Sequence, residues 1–327
     1  MAQSIDLEHS RARGLAALPY LLRTMRPKDW IKNFFVFAAI AFSRDTERNI
    51  PSWLDFDKLI TVCIAFVLFC MVASAIYLIN DLVDIEKDRA HPKKRHRPLA
   101  SGRLSPTVAK VAAVVLLVIA LPLGFMIDYT STPVSGQNFD FGFILLTYLF
   151  IQGIAYSYYL KHIVILDIFT IAAGFVLRAV AGAVVINIEI THWLLICMGL
   201  LALFLGLSKR RAELVLLEGG AGEHRRILDE YSIPFLDQMI SIVTASTLIA
   251  YTLFTTTAET LPLEPFPTML LTVPFVIYAI FRYLYLVYKY GSGGSAAEVV
   301  LTDRPFAICL IAWGLIAVAV LALGSPV

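Results

Sequence analysis

Three aspartates close a long apolar run: Asp81, Asp84 and Asp88, within Asn80-Asp81-Leu82-Val83-Asp84-Ile85-Glu86-Lys87-Asp88. Spacings of three and four place all three carboxylates on one face of a helix. Acidic groups at the edge of a membrane segment are costly, so they mark a function. The chemistry they fit is holding Mg²⁺ against phosphate, because hard cations prefer carboxylate oxygens and share them with substrate phosphates. A basic run follows at once, with Lys93, Lys94, Arg95 and Arg97 between Pro92 and Pro98. The two prolines bend this loop and limit its freedom, which suits a site. The alternative is a stop-transfer charge run facing anionic lipid. Acid for a metal beside base for a phosphate indicates an enzyme that works on a phosphorylated substrate in or near lipid.

Three further segments carry charges that could meet that site. Tyr156, Lys161, Asp167 and Arg178 open one apolar stretch; Arg178 lies eleven residues after Asp167, about three turns on the same helix face. An arginine that deep faces a polar cavity or a partner, and a purely structural Asp167–Arg178 pair is the alternative. Lys209, Arg210 and Glu213 end another stretch. Lys209 and Glu213 have the spacing of a helix salt bridge, whereas Lys209 and Arg210 suit phosphate, the arginine through its planar fork. Lys28 and Lys32 share a face in Arg26-Pro27-Lys28-Asp29-Trp30-Ile31-Lys32-Asn33 and either reach the same cavity or snorkel to the interface. Asp303-Arg304 has the weakest claim.

The elements that must position these residues are membrane spans. Of 327 residues, 58% are hydrophobic and 16% are charged, with a mean hydropathy of +0.75. A soluble domain is about 45–50% apolar and about 25% charged. Spans need about 20 mostly apolar residues each. Nine are read: 31–43, 59–80, 107–127, 140–158, 163–185, 192–208, 235–257, 267–288 and 305–324, the first short. With the N-terminus in the cytoplasm, 22 of the 27 lysines and arginines fall in cytoplasmic segments, three fall outside and two, Arg178 and Arg282, lie within spans. That bias obeys the positive-inside rule and places the C-terminus outside. Every constellation above then lies on the cytoplasmic side. The chain is read as one all-α transmembrane catalytic domain, 1–327, in the cytoplasmic membrane, with cytoplasmic cap loops at 86–106 and 209–234. The four cysteines all fall in apolar spans and make no metal-binding spacing. No nucleotide-loop, dinucleotide or hydrolase motif occurs, and nothing points to nucleic acid. Homo-oligomerisation is left open.

These segments resemble the UbiA superfamily of intramembrane prenyltransferases, through the NDxxDxxxD motif at Asn80 to Asp88 and the arrangement of spans and loops along nearly the whole chain. The resemblance implies nine helices around a central cavity, with Mg²⁺-bound diphosphate under a cytoplasmic cap. The chain departs from the superfamily at its second motif, where prenyl-transferring members carry DxxxD and this sequence has Leu160-Lys161-His162 followed by a single Asp167. With RPKDWIKN at 26–33 and KRRAEL at 209–214, this resembles a phosphoribosyl-transferring branch. Membership implies transfer of 5-phosphoribose from phosphoribosyl diphosphate (PRPP) to a decaprenyl-type polyprenyl phosphate for cell-wall precursor synthesis. In that reading Asp81, Asp84 and Asp88 hold Mg²⁺ on the diphosphate and Asn80 orients it. Lys28, Lys32, Lys93, Arg95, Tyr156, Lys161, Arg178, Lys209, Arg210 and Glu213 line the substrates, and Asp167 takes a ribose hydroxyl or assists the metal. Two rival readings are a prenyltransferase joining a prenyl diphosphate to an aromatic or quinone-like acceptor, and a membrane transporter.

Overall fold

The computed structural model describes residues 14–45, 50–91, 94–131, 140–188, 190–218, 228, 230–258, 260–263, 265–290 and 296–323. Among these, structure is helical apart from a two-residue hairpin, β1 (Arg44–Asp45) with β2 (Ile50–Pro51). Helix α1 (Leu18–Met25) leads into a 3-10 helix, Pro27–Phe37, continued by α2 (Ala38–Ala41). Then come α3 (Phe56–Val83), α4 (Ile85–Ala90), α5 (Pro106–Ser131) and α6 (Asp140–Tyr148). A π-helical turn, Leu149–Ala155, joins α6 to α7 (Tyr156–Tyr158). The chain continues through α8 (Leu166–Val184), α9 (His192–Glu218), α10 (Ile233–Thr257), α11 (Val273–Tyr290), α12 (Ala296–Thr302) and α13 (Arg304–Leu323).

Among the described residues eight helices are long and apolar enough to cross a membrane, and they match eight of the nine spans read from sequence. The chain is therefore an integral membrane protein. Helix α9 corrects one boundary. It runs to Glu218, well past 208, so the first ten residues of the loop read at 209–234 are helical. The stretch from Lys209 to Glu218 consists of strong helix formers apart from Val215, and they carry the helix beyond its apolar part. Residues 219–227 and 229 of that loop lie outside the described residues.

Helices α3 and α8 form the centre. More than half of each apolar window is buried, against under a quarter for α5 and α13. The 3-10 helix is bonded into this centre. Trp30 Nε1 donates to Ser74 Oγ at 3.1 Å, and Asn33 Nδ2 donates to Cys70 Sγ at 3.2 Å, both on α3. On α8, Gly182 lets the backbone of Val36 approach so closely that a Cβ there would lie 1.8 Å from the Val36 carbonyl oxygen. Substituting Gly182→Ala forces the 3-10 helix off α8. The expected cost is about 1–3 kcal/mol, read as a lowered Tm of the purified protein in detergent. An unchanged Tm would contradict this packing.

Candidate active site at the charged end of the bundle

Asp81 sits on the last turn of α3, 3% exposed. Arg26 Nη2 donates to its Oδ1 at 2.7 Å, and Arg97 Nη1 to the same oxygen at 3.2 Å. Arg97 Nη1 also donates to Asp88 Oδ2 at 2.8 Å, so one guanidinium joins two buried carboxylates. Asp84 stands apart. Its nearest cations are Lys87 and Lys161, each at 3.9 Å, and its side chain is partly exposed. This corrects the expectation of three carboxylates on one helix face. The helix is interrupted at Asp84 (φ −92°, ψ 8°), between α3 and α4, and among the described residues the three carboxylates do not gather into one set. Asn80 Oδ1 accepts from Ser157 Oγ at 2.6 Å, which fixes the motif against α7.

Two features aim the arginines. Arg26 has a left-handed backbone (φ 55°, ψ 63°) between α1 and Pro27, and its guanidinium lies 4.8 Å over the Tyr77 ring. For a non-glycine residue that conformation costs about 1–2 kcal/mol, which the contacts to Asp81 and Tyr77 offset. Arg97 is set by its own loop. Leu99, Ala100 and Leu104 are buried, Leu99 and Leu104 in a cluster with Ala75 and Leu78. Arg89 Nε donates to the Ala100 carbonyl at 3.2 Å.

A second network closes the entrance to α8. Asp167 is fully buried. Arg210 Nε donates to its Oδ2 at 2.9 Å, and the Tyr231 hydroxyl donates to its Oδ1 at 2.8 Å. Arg210 Nη1 also donates to Glu213 Oε2 at 2.6 Å. Tyr231 in turn accepts the Ile165 N–H at 2.7 Å. Ile165 is the centre of a tight turn with φ 71°, Leu166 N donating to the Val164 carbonyl at 2.8 Å. Such turns are strained, above all for a β-branched residue, and Tyr231 holds this one in place. Burial raises the Tyr231 phenol above its ordinary range, and the facing Asp167 adds to the rise. It therefore stays a proton donor at and well above neutral pH.

This geometry revises several expectations. Asp167 does not pair with Arg178. Eleven residues along a helix separate them by about 16 Å, so sharing a face does not bring them into contact. Arg178 bonds instead to Asn33, Tyr148 and the Gly174 carbonyl. Glu213 takes Arg210, not Lys209, as an ion-pair partner, and Lys209 is exposed. Arg210 already faces two carboxylates. Lys28 is exposed, Lys32 donates to Asp29 at 2.7 Å, and Arg95 turns to its neighbour His96 at 3.4 Å. Lys93 lies outside the described residues. Tyr156 is within electrostatic reach of Arg210, and Lys161 faces Asp84. Arg26, Arg97, Ser157 and Tyr231 bond to these side chains, and none of them was among the residues expected to line the substrates. Arg97 was visible in the basic run, but nothing local distinguishes it from Lys94 or Arg95.

Among the described residues no three acidic, histidine or cysteine side chains converge closely enough to enclose a cation. Asp81 and Asp88 do converge, on one Arg97 nitrogen. Mg²⁺ is commonly held by one or two carboxylates plus substrate phosphates, so this pair, with Asp84 beside it, fits an ion that completes its shell with substrate oxygens.

Comparison with known proteins shows which family the chain resembles. The profile of the UbiA prenyltransferase family matches residues 33–297. Decaprenyl-phosphate phosphoribosyltransferase of Corynebacterium glutamicum is 34% identical over 296 residues, covering 90% of this chain and 84% of that protein. Its namesake from Mycolicibacterium smegmatis is 33% identical over 303 residues, covering 90% and 89%. Among solved structures, a UbiA homolog from Archaeoglobus fulgidus bound to GPP and Mg²⁺ superposes with a TM-score of 0.62 at 18% identity, covering 92% of this chain and 99% of that one.

The Asp167 network makes a stability prediction. Asp167→Asn leaves buried Arg210 with Glu213 alone and is expected to cost about 2–4 kcal/mol. Tyr231→Phe removes two hydrogen bonds, one to Asp167 and one from the Ile165 N–H, and is expected to cost about 1–2 kcal/mol. Thermal unfolding in detergent ranks the two. Equal or negligible losses would show that the network does not hold the α8 entrance.

Proposed function

The chain belongs to the UbiA prenyltransferase family, and we propose that within it this protein transfers 5-phosphoribose from PRPP to a decaprenyl-type polyprenyl phosphate, releasing diphosphate. The observation that carries this reading is the state of the second acidic position. Asp167, the single carboxylate there, is spent on Arg210 and Tyr231, so the site offers one acidic cluster and one place for a metal-bound diphosphate. Relatives that are 32–34% identical over about 90% of the chain carry the phosphoribosyltransferase name.

In this reading Asp81, Asp84 and Asp88 hold the cation, with Asn80 and Lys161 beside the diphosphate. Bound Mg²⁺ would neutralise charge on the leaving group. The bond from ribose C1 to the diphosphate oxygen breaks, and C1 gains oxocarbenium character. A phosphate oxygen of the lipid forms the new bond from the opposite face. The acceptor is already an anion at neutral pH, so no strong general base is needed. Fixed cations around the motif stabilise the developing charge without reorganising. PRPP carries more phosphate than a prenyl diphosphate does, and the charged end of this bundle is correspondingly rich in arginine and lysine.

The topology proposed with it has nine spans, the first at 31–43 formed by the later part of the 3-10 helix and α2. At about 2.0 Å per residue for the 3-10 part and 1.5 Å for α2, residues 31–41 extend about 20 Å, a short span for a bilayer core of about 30 Å. The charged end then faces the cytoplasm, as the distribution of lysine and arginine requires, and residues 1–327 act as one catalytic domain in the cytoplasmic membrane. The product would be a lipid-linked sugar precursor for the cell wall.

The test is to incubate purified protein with Mg²⁺, polyprenyl phosphate and PRPP labelled in the ribose, and to count label in the lipid phase. Label that depends on Mg²⁺ supports the reading. Absence of label, with transfer from a prenyl diphosphate to an aromatic acceptor, would replace it by the prenyltransferase reading. Asp84→Asn, whose side chain supports no other buried group, should fold normally and lose at least about 10²-fold in turnover; near-normal turnover would overturn the metal assignment.

A further inference from the structure

Two arginines are buried in this bundle to a similar degree, Arg210 at 3% exposure and Arg178 at 7%. Arg210 lies between two carboxylates. Arg178 has none: among the described residues no acidic side chain lies within ion-pair distance. Its bonds all go to neutral groups, Nε to Asn33 Oδ1 at 2.7 Å, Nη1 to the Gly174 carbonyl at 2.6 Å and Nη2 to the Tyr148 hydroxyl at 2.5 Å. The Tyr148 ring adds a cation–π contact at 4.7 Å. These contacts satisfy hydrogen bonds but leave a full positive charge inside a membrane span, where it is expensive. They also use only three of the five guanidinium N–H groups, leaving one on each terminal nitrogen.

A glycine packs against the guanidinium. Position 174 is glycine; a Cβ there would lie 3.3 Å from Arg178 Nη1 and 2.7 Å from Gln152 Nε2. Because Nη1 reaches back to Gly174, the guanidinium sits one turn nearer the charged end than its own Cα. Seven residues of α8, about 10 Å, then separate its level from Asp167. Arg26 and Lys32, cations on the neighbouring 3-10 helix segment, already face Asp81 and Asp29, which leaves Arg178 as the buried cation without a counter-charge among the described residues there.

We propose that Arg178 is the base of a phosphomonoester site, in which a monophosphate group of one substrate supplies the counter-charge, apart from the carboxylates that face the diphosphate. This rests on the reading that the substrates are PRPP and a polyprenyl phosphate. Each carries such a group, the ribose 5-phosphate in one and the lipid phosphate in the other. A neutral hydrogen-bonding strut between the 3-10 helix, α6 and α8 would need no charge here, so the arginine serves the anion.

The test is binding without metal. Purified protein in detergent with EDTA is heated with ribose 5-phosphate or with farnesyl phosphate, and unfolding is followed. At saturation one of them is expected to raise Tm by about 3 °C or more. A rise with ribose 5-phosphate alone assigns the site to the sugar phosphate; a rise with farnesyl phosphate alone assigns it to the lipid; a rise with both assigns a shared phosphate site. In Arg178→Gln the rise should vanish, and in Asp84→Asn it should persist. If Arg178→Gln does not fold, Arg178→Lys should retain a reduced rise. No rise with either compound in the unmutated protein, or a full rise in Arg178→Gln, overturns the proposal. That outcome is distinct from failure of the functional reading, because labelled ribose would still enter lipid.

Discussion

A carboxylate at the edge of a hydrocarbon layer must be neutralised within the protein, and the arrangement of this bundle follows from how that is done. Asp81 cannot remain ionised at 3% exposure without a cation in contact. It takes two, Arg26 from the turn before the 3-10 helix and Arg97 from the loop after α4. Those bonds fix where the first helical segment enters and where the basic loop lies. The same device recurs around the charged end. Arg210 joins Asp167 to Glu213, and Arg282 pairs with Asp303, which also caps α13 by accepting the Phe306 N–H. Arg211 pairs with Asp237 and packs over Tyr288, linking α9, α10 and α11. Helix ends that carry opposite charges are tied in sequence, and the polar network is the frame of the site.

That frame sits where strain is also stored. The left-handed Arg26 and the positive-φ turn at Ile165 are each held by one hydrogen-bonded side chain, Arg26 through its own bond to Asp81 and Ile165 through Tyr231. The π-helical turn at Leu149–Ala155 lies between them and brings the Gln152 amide to the Thr170 carbonyl at 2.6 Å. Irregular helical turns of this kind concentrate at functional sites.

Much of this was legible in the sequence, and the divide between what was and was not is physical. A span is a local property, twenty apolar residues in a row, so eight helices matched to within a few residues except at α9, where the helix outran its apolar part. The acidic motif was legible because its spacing is local too. Its partners were not. Arg26 and Arg97 reach Asp81 across 55 and 16 residues, and Tyr231 reaches Asp167 across 64. No periodicity encodes those meetings. The interruption at Asp84 escaped because the motif keeps helical spacing on both sides of it. The supposed Asp167–Arg178 pair failed for the opposite reason: the helix is regular, and its rise keeps two residues on one face far apart.

As proposed, the acidic motif is an incomplete cation site, two buried carboxylates joined by Arg97 with Asp84 to one side, which substrate phosphate completes. Equilibrium dialysis of Mn²⁺, with PRPP absent or equal on both sides of the membrane, tests this. Weak Mn²⁺ binding is expected for the protein alone, strong binding with PRPP, and loss of that gain in Asp81→Asn. Tight binding without PRPP, or a PRPP-dependent gain undiminished in Asp81→Asn, would overturn the assignment.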